Sequence, residues 1–110
     1  MLKFYYLSLA IFFEVAGTMS LKLSNGYTKI FPTIVMALSY AICFFFLSKC
    51  LNEFNSIGFV YAIWSGVGIV LISILGVLFF NNIVDFSGIL GLSLIIAGAI
   101  ILNLFSKMSQ

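Results

Sequence analysis

Residues 57–80 read IGFVYAIWSGVGIVLISILGVLFF, 24 consecutive positions without a charge. A bilayer core takes about 20 apolar residues of α-helix to cross, so this stretch is a membrane span by length and composition. Two further uncharged runs flank it, 31–48 (18 residues) and 86–106 (21 residues). Residues 4–21 match the first of these in length and hold one charge, Glu14. The loops left between the four stretches are 9, 8 and 5 residues long, which forces neighbouring helices to run antiparallel.

The whole composition agrees. Of 110 residues, 64% are apolar and 7% charged, where a soluble domain carries roughly 25% charged residues. The expectation is an all-α integral membrane protein, a four-transmembrane-helix bundle forming a single membrane domain over residues 1–110, with spans 4–21, 31–48, 57–80 and 86–106. The acidic residue inside the first span and the lack of an A-x-A-like site argue against a cleaved signal peptide, so that segment is kept as a helix. Nucleic acid is not an expected partner; the lipid bilayer is.

Turn chemistry falls between the spans. Ser24-Asn25-Gly26 ends the first, Pro32 suits the opening of the second, and Asn55-Ser56 and Asp85 stand where the third and fourth need N-caps. Cys43 and Cys50 lie seven apart on a span, and the chain has no His, so small packing residues are expected there, with neither a metal site nor a redox pair. Lysines are nearly balanced across the membrane: Lys3, Lys49 and Lys107 on one side, Lys22 and Lys29 on the other. Orientation follows the surplus of basic residues in short loops, so a near tie permits insertion both ways up and an antiparallel pairing of opposite copies.

Glu14 carries the chemistry. It lies ten residues beyond Phe4, about 15 Å along a helix, near the bilayer midplane. Lys3 and Lys22 are too far along the same helix to neutralise it, and the other spans hold no basic residue. A charged acid at mid-helix costs roughly 2.5–3.5 kcal/mol on insertion scales. Two states relieve that cost: the protonated acid, or the carboxylate paired with an organic cation. Because a proton and a cation would compete for one carboxylate, the residue meets the minimum requirement for antiport. The alternative is a structural, permanently protonated acid that hydrogen-bonds a neighbouring helix.

At helical spacing from Glu14 stand Leu7, Ala10, Ile11, Gly17, Thr18 and Leu21, whose smaller members let other helices approach. The third span presents Tyr61, Trp64, Ser65 and Gly68 at i, i+3, i+4 and i+7, rings that attract cations plus two polar handles. Tyr40 and Tyr6 could add hydroxyls and ring area; Tyr6 is equally readable as an interfacial anchor. Gly66-Val67-Gly68 weakens the third helix at its middle, either as a place to bend or for close packing. Gly88, Gly91 and Gly98 leave a small-residue groove along the fourth helix, suited to helix–helix dimerisation.

On these residues the chain resembles the small multidrug resistance family of proton-coupled exporters, over essentially its full length. Carrying the likeness are Glu14-Val15-Ala16-Gly17-Thr18, then Lys22 with Ser24-Asn25-Gly26, and above all the octet Tyr61-Ala62-Ile63-Trp64-Ser65-Gly66-Val67-Gly68. The resemblance implies an antiparallel homodimer of dual topology, working by alternating access around one site shared by the two copies of Glu14. It requires no cofactor, a proton gradient being the driving force.

By the same resemblance Tyr40, Tyr61 and Trp64 line the substrate chamber, Gly66 to Gly68 form the bend of the third helix, and Gly91 and Gly98 belong to the dimer interface. With Tyr6 added to the binding set, the lining set comprises Ala10, Gly17, Thr18, Phe44 and Ser65. Gly17 stands where the guanidinium-exporting branch has Trp, which points to the branch exporting quaternary ammonium and other lipophilic cations from a cell's inner membrane. Phe4 and Cys43 depart from that branch's pattern, as a tyrosine and a serine replaced, and bear on the ligand list. Guanidinium or polyamine export, a heterodimer with a paired homologue, and a non-transporting subunit of a membrane complex are the rivals. A proton-binding ring subunit would also be apolar around one acid, but as a helical hairpin with no reason to line that acid with Tyr61 and Trp64.

Overall fold

The computed structural model describes residues 2–109 and consists of four long helices and one short turn: α1 Leu2–Leu23, α2 Ile30–Glu53, α3 Ile57–Phe80, α4 Phe86–Phe105, and a 3₁₀ turn at Lys107–Ser109. No strand occurs among the described residues. All four helices are long and apolar enough to cross a membrane. They form two compact units, an α1–α2 hairpin ending at Glu53 and an α3–α4 hairpin starting at Phe54.

The first two helices outrun their expected spans, while α3 and α4 keep to theirs within a residue. α2 continues past Ser48 through Lys49 to Glu53, because loss of hydrophobicity marks the edge of the hydrocarbon, whereas a helix stops only where its backbone groups find other partners. Between α1 and α2 that stop is built on the buried Ser24. Its hydroxyl donates to the Leu21 carbonyl (2.7 Å) and accepts from the Tyr27 N–H (3.1 Å), while its carbonyl accepts from Thr28 and Lys29. Asn25, Gly26 and Tyr27 then follow with φ of 50°, 69° and 68°. Asn and Gly tolerate this left-handed region; Tyr27 does not do so readily and is held there by its bond to Ser24.

Within the first hairpin α1 buries one stripe, Leu7, Ala10, Ile11, Glu14 and Gly17, and α2 answers with Ser39, Cys43 and Cys50. The α1 stripe steps by one or three residues and the α2 stripe by four and seven, spacings that keep to one helix face, and both include small side chains. In lipid there is no hydrophobic gain from joining two helices, so contact depends on backbones coming close. The two cysteines are buried thiols that fill this seam, and the Cys50 thiol faces the Lys3 carbonyl at 3.7 Å. Lys3 and Lys49 lie over the Phe4 and Phe45 rings, 6.0 and 5.5 Å from their centroids.

The second hairpin starts at Phe54, whose ring meets that of the fully buried Phe59 at 5.2 Å. Ser56 caps α3 by accepting from the Phe59 N–H (3.1 Å), and Asp85 caps α4 by accepting from the Gly88 N–H (2.8 Å). At the other end of α3, Asn81 turns into the left-handed region and the Asn82 N–H closes onto the Gly76 carbonyl (3.0 Å). Asp85→Ala removes the cap of α4 and should cost about 0.5–2 kcal/mol, read as an earlier thermal melt in detergent micelles; an unchanged melt would show that the α4 start is set by its packing alone.

Helix α3 is unbroken through Gly66, Val67 and Gly68. In this conformation Gly66 serves close approach: a Cβ there would stand 3.3 Å from a methyl of Ile95 on α4. α4 itself buries no residue, and the space over Gly91 and Gly98 is open.

Candidate functional site

Glu14 sits at the centre of the α1 stripe, 9% exposed. Its companions on that buried face, Leu7, Ala10, Ile11 and Gly17, carry no polar side-chain group. At 1.5 Å per residue Lys3 and Lys22 are about 16 and 12 Å along the helix, beyond pairing distance. A carboxyl group is therefore placed by the helical period on the buried face of α1, among apolar companions of its own helix.

One turn further on, Gly17 and Thr18 meet Tyr40 of α2. The ring lies against the Gly17 backbone so closely that a Cβ there would stand 3.0 Å from two ring carbons. The Tyr40 hydroxyl is hydrogen-bonded to the Thr18 hydroxyl, and the ring stacks on Phe44, centroids 6.1 Å apart and planes 27° from parallel. Thus Gly17 and Thr18, three and four residues beyond Glu14 on the same helix, form one cluster with Tyr40 and Phe44. Ala10 lies one turn before Glu14 on the same face, fully buried.

Tyr6 is placed differently. Its ring stacks with Phe46 at 6.3 Å, and Phe46 stacks in turn with Phe13, also at 6.3 Å. Phe46 thereby joins two α1 aromatics, a role that the run Phe44-Phe45-Phe46 does not announce, since three adjacent rings on a helix point in three directions.

On α3, Tyr61 and Trp64 form a pair with centroids 5.6 Å apart and a 44° tilt. The Tyr61 side chain is 62% exposed, leaving one ring of the pair open to a guest or to another helix. The second polar handle expected of this stripe is engaged: the Ser65 hydroxyl donates to the Tyr61 carbonyl of its own helix at 2.7 Å. Ser65 then offers a guest its remaining lone pairs, with the hydroxyl proton committed. Gly66 and Gly68 are buried and Val67 is half-buried, the first of them facing α4. An entirely apolar cavity of about 220 Å³ lies beside them, lined by Gly66, Val67, Val70, Ile95, Ile96 and Ala99 among others.

Comparison with known proteins fixes the family. The family profile described as Small Multidrug Resistance protein matches residues 2–95. Similar proteins include the "Uncharacterized membrane protein YvaE" of Bacillus subtilis (strain 168), 44% identical over 94% of this chain and 87% of that protein. The "Quaternary ammonium compound-resistance protein QacF" of Klebsiella aerogenes is 39% identical over 94% of each chain. The "Multidrug transporter EmrE" of Escherichia coli (strain K12) is 44% identical over 93% of this chain and 92% of its own. With four helices able to span a bilayer and this match over most of its length, the chain is a multi-pass membrane protein that belongs to the small multidrug resistance family.

Proposed function

We propose that this protein is a proton-coupled antiporter that expels lipophilic and quaternary ammonium cations across the inner membrane by alternating access, with proton and cation competing for Glu14. The observation that carries this reading is the acid itself: buried, mid-helix, and surrounded on its own face by Leu7, Ala10, Ile11 and Gly17. Such a carboxyl is costly as an unpaired anion, and either a proton or an organic cation relieves the cost. One site that accepts either but not both couples the two fluxes, since each occupant can leave only on the side where the other arrives. Relatives named for quaternary ammonium resistance and multidrug transport support the same class of cargo. No cofactor takes part; the proton gradient supplies the work.

The geometry around Gly17 favours bulky aromatic or quaternary cations over guanidinium. Tyr40 already lies so near Gly17 that one added carbon would force the ring to move. A Trp at this position, the pattern of the guanidinium-exporting branch, would displace the ring altogether. Tyr61 and Trp64 supply faces for a cation without hydrogen-bonding groups.

The working unit in this proposal is an antiparallel homodimer. α4 buries nothing within one chain and carries Gly91 and Gly98 uncovered, which is the surface a second copy would take. Reporters fused to the C-terminus should therefore be found on both sides of the membrane in comparable amounts; a reporter found wholly on one side contradicts dual topology. The transport reading is tested in proteoliposomes of the purified chain under an imposed pH gradient. Uptake of tetraphenylphosphonium in preference to guanidinium or a polyamine is expected, and uptake of none of them would dismiss the exporter.

A further inference from the structure

The α1–α2 hairpin holds one tyrosine in a way that its neighbours do not share. Tyr40 is fixed at three points: its ring edge on the Gly17 backbone, its hydroxyl on the Thr18 hydroxyl, and its face on Phe44. Gly17 and Thr18 follow Glu14 by three and four residues, so both contacts fall on the helical turn next to the acid. A tyrosine ring swings as a rigid body about two torsions, and here one polar contact holds its far end.

We propose that Thr18 is a positioning residue for Tyr40: the hydroxyl pair, with the missing side chain at Gly17, clamps the ring and thereby sets how large a cation the Glu14 site accepts. The inference rests on the exporter reading for its transport consequence but not for the clamp itself. Thr18 acts through the ring rather than on the guest. Its side chain is half-buried and its hydroxyl is engaged with Tyr40. Releasing the clamp lets the ring leave its seat, which changes the contact surface for a guest large enough to reach it. A compact cation held chiefly by the carboxylate feels much less.

The experiment compares the full-length chain with Thr18→Val, which keeps the shape and removes the hydroxyl, Thr18→Ser, which restores the hydroxyl, Tyr40→Phe, and the Thr18→Val/Tyr40→Phe double variant. Binding of tetraphenylphosphonium and of tetramethylammonium is measured for each. Thr18→Val should change the ratio of the two Kd values by roughly three- to tenfold, the usual effect of one hydrogen bond. Thr18→Ser should return it to within about twofold, and the double variant should be no worse than either single change, because both remove the same contact. A ratio unchanged in Thr18→Val, or effects that add in the double variant, would overturn the clamp.

A second readout is independent of transport. In chains labelled with 3-fluorotyrosine, the ¹⁹F resonance missing from Tyr40→Phe identifies Tyr40. It should shift or broaden in Thr18→Val and stay in place in Thr18→Ser. If the unmodified protein bound neither cation, the exporter reading would fall, and the Tyr40 resonance would still decide the clamp: unmoved in Thr18→Val, the clamp falls as well.

Discussion

Replacing Glu14 by Gln should abolish gradient-driven uptake of tetraphenylphosphonium in proteoliposomes while leaving the helical content unchanged. The amide keeps the shape of the side chain and loses the charge. An ion pair at about 4 Å with an effective dielectric near 20 is worth roughly 4 kcal/mol. Its loss therefore predicts a fall in cation affinity of at least about a hundredfold. The proton's site is lost in the same change, so no residual coupled flux is expected. Circular dichroism separates this outcome from misfolding, and Gln also removes whatever cost the unpaired anion imposes on insertion. Uptake at the unmodified rate would place the coupling elsewhere.

The second large effect is expected at Trp64. Trp64→Ala takes away the larger ring of the Tyr61–Trp64 pair, whose centroids stand 5.6 Å apart. A cation over a desolvated indole face gains about 0.5–2 kcal/mol, so binding of an aromatic cation should weaken by roughly 3- to 30-fold. Proton binding at Glu14 should be largely kept. Calorimetry of tetraphenylphosphonium binding, beside a pH titration of the same variant, checks both halves. Unchanged affinity would remove Trp64 from the site; loss of proton binding as well would make it a support for Glu14 rather than a wall for the guest.

How much of this was readable from the sequence depends on range. The four helices are legible because each is announced by a long run without charge, and three of their ends by cap and turn residues: Ser24-Asn25-Gly26, Ser56 and Asp85 all terminate or start helices where local chemistry says they should. The ends of α3 and α4 follow the uncharged runs to within a residue, whereas α2 runs on through Lys49 to Glu53 in a region where polar residues are at home. Glu14 is legible through its oddity, and the burial of its face through the period of its neighbours.

Contacts between distant positions are what the sequence hides. The Thr18–Tyr40 pair joins residues 22 apart. It needs the interhelical register, which depends on how Gly17 and the small residues of α2 seat against one another. Ser65 shows the converse: as a residue type it promises a polar handle, and its own helix takes the hydroxyl proton at the Tyr61 carbonyl. The glycines of α3 read from the sequence as either a place to bend or a close-packing contact; α3 runs through both as continuous helix, and Gly66 stands close to Ile95 of α4.

Mutual exclusion of proton and cation at one buried acid is tested most directly by proton release on cation binding. Purified protein in weakly buffered detergent solution, at a pH where Glu14 is protonated, receives tetraphenylphosphonium while the bulk pH is followed. Stoichiometric proton release that disappears in Glu14→Gln is the predicted result. Cation binding with no proton released at any pH would contradict the account.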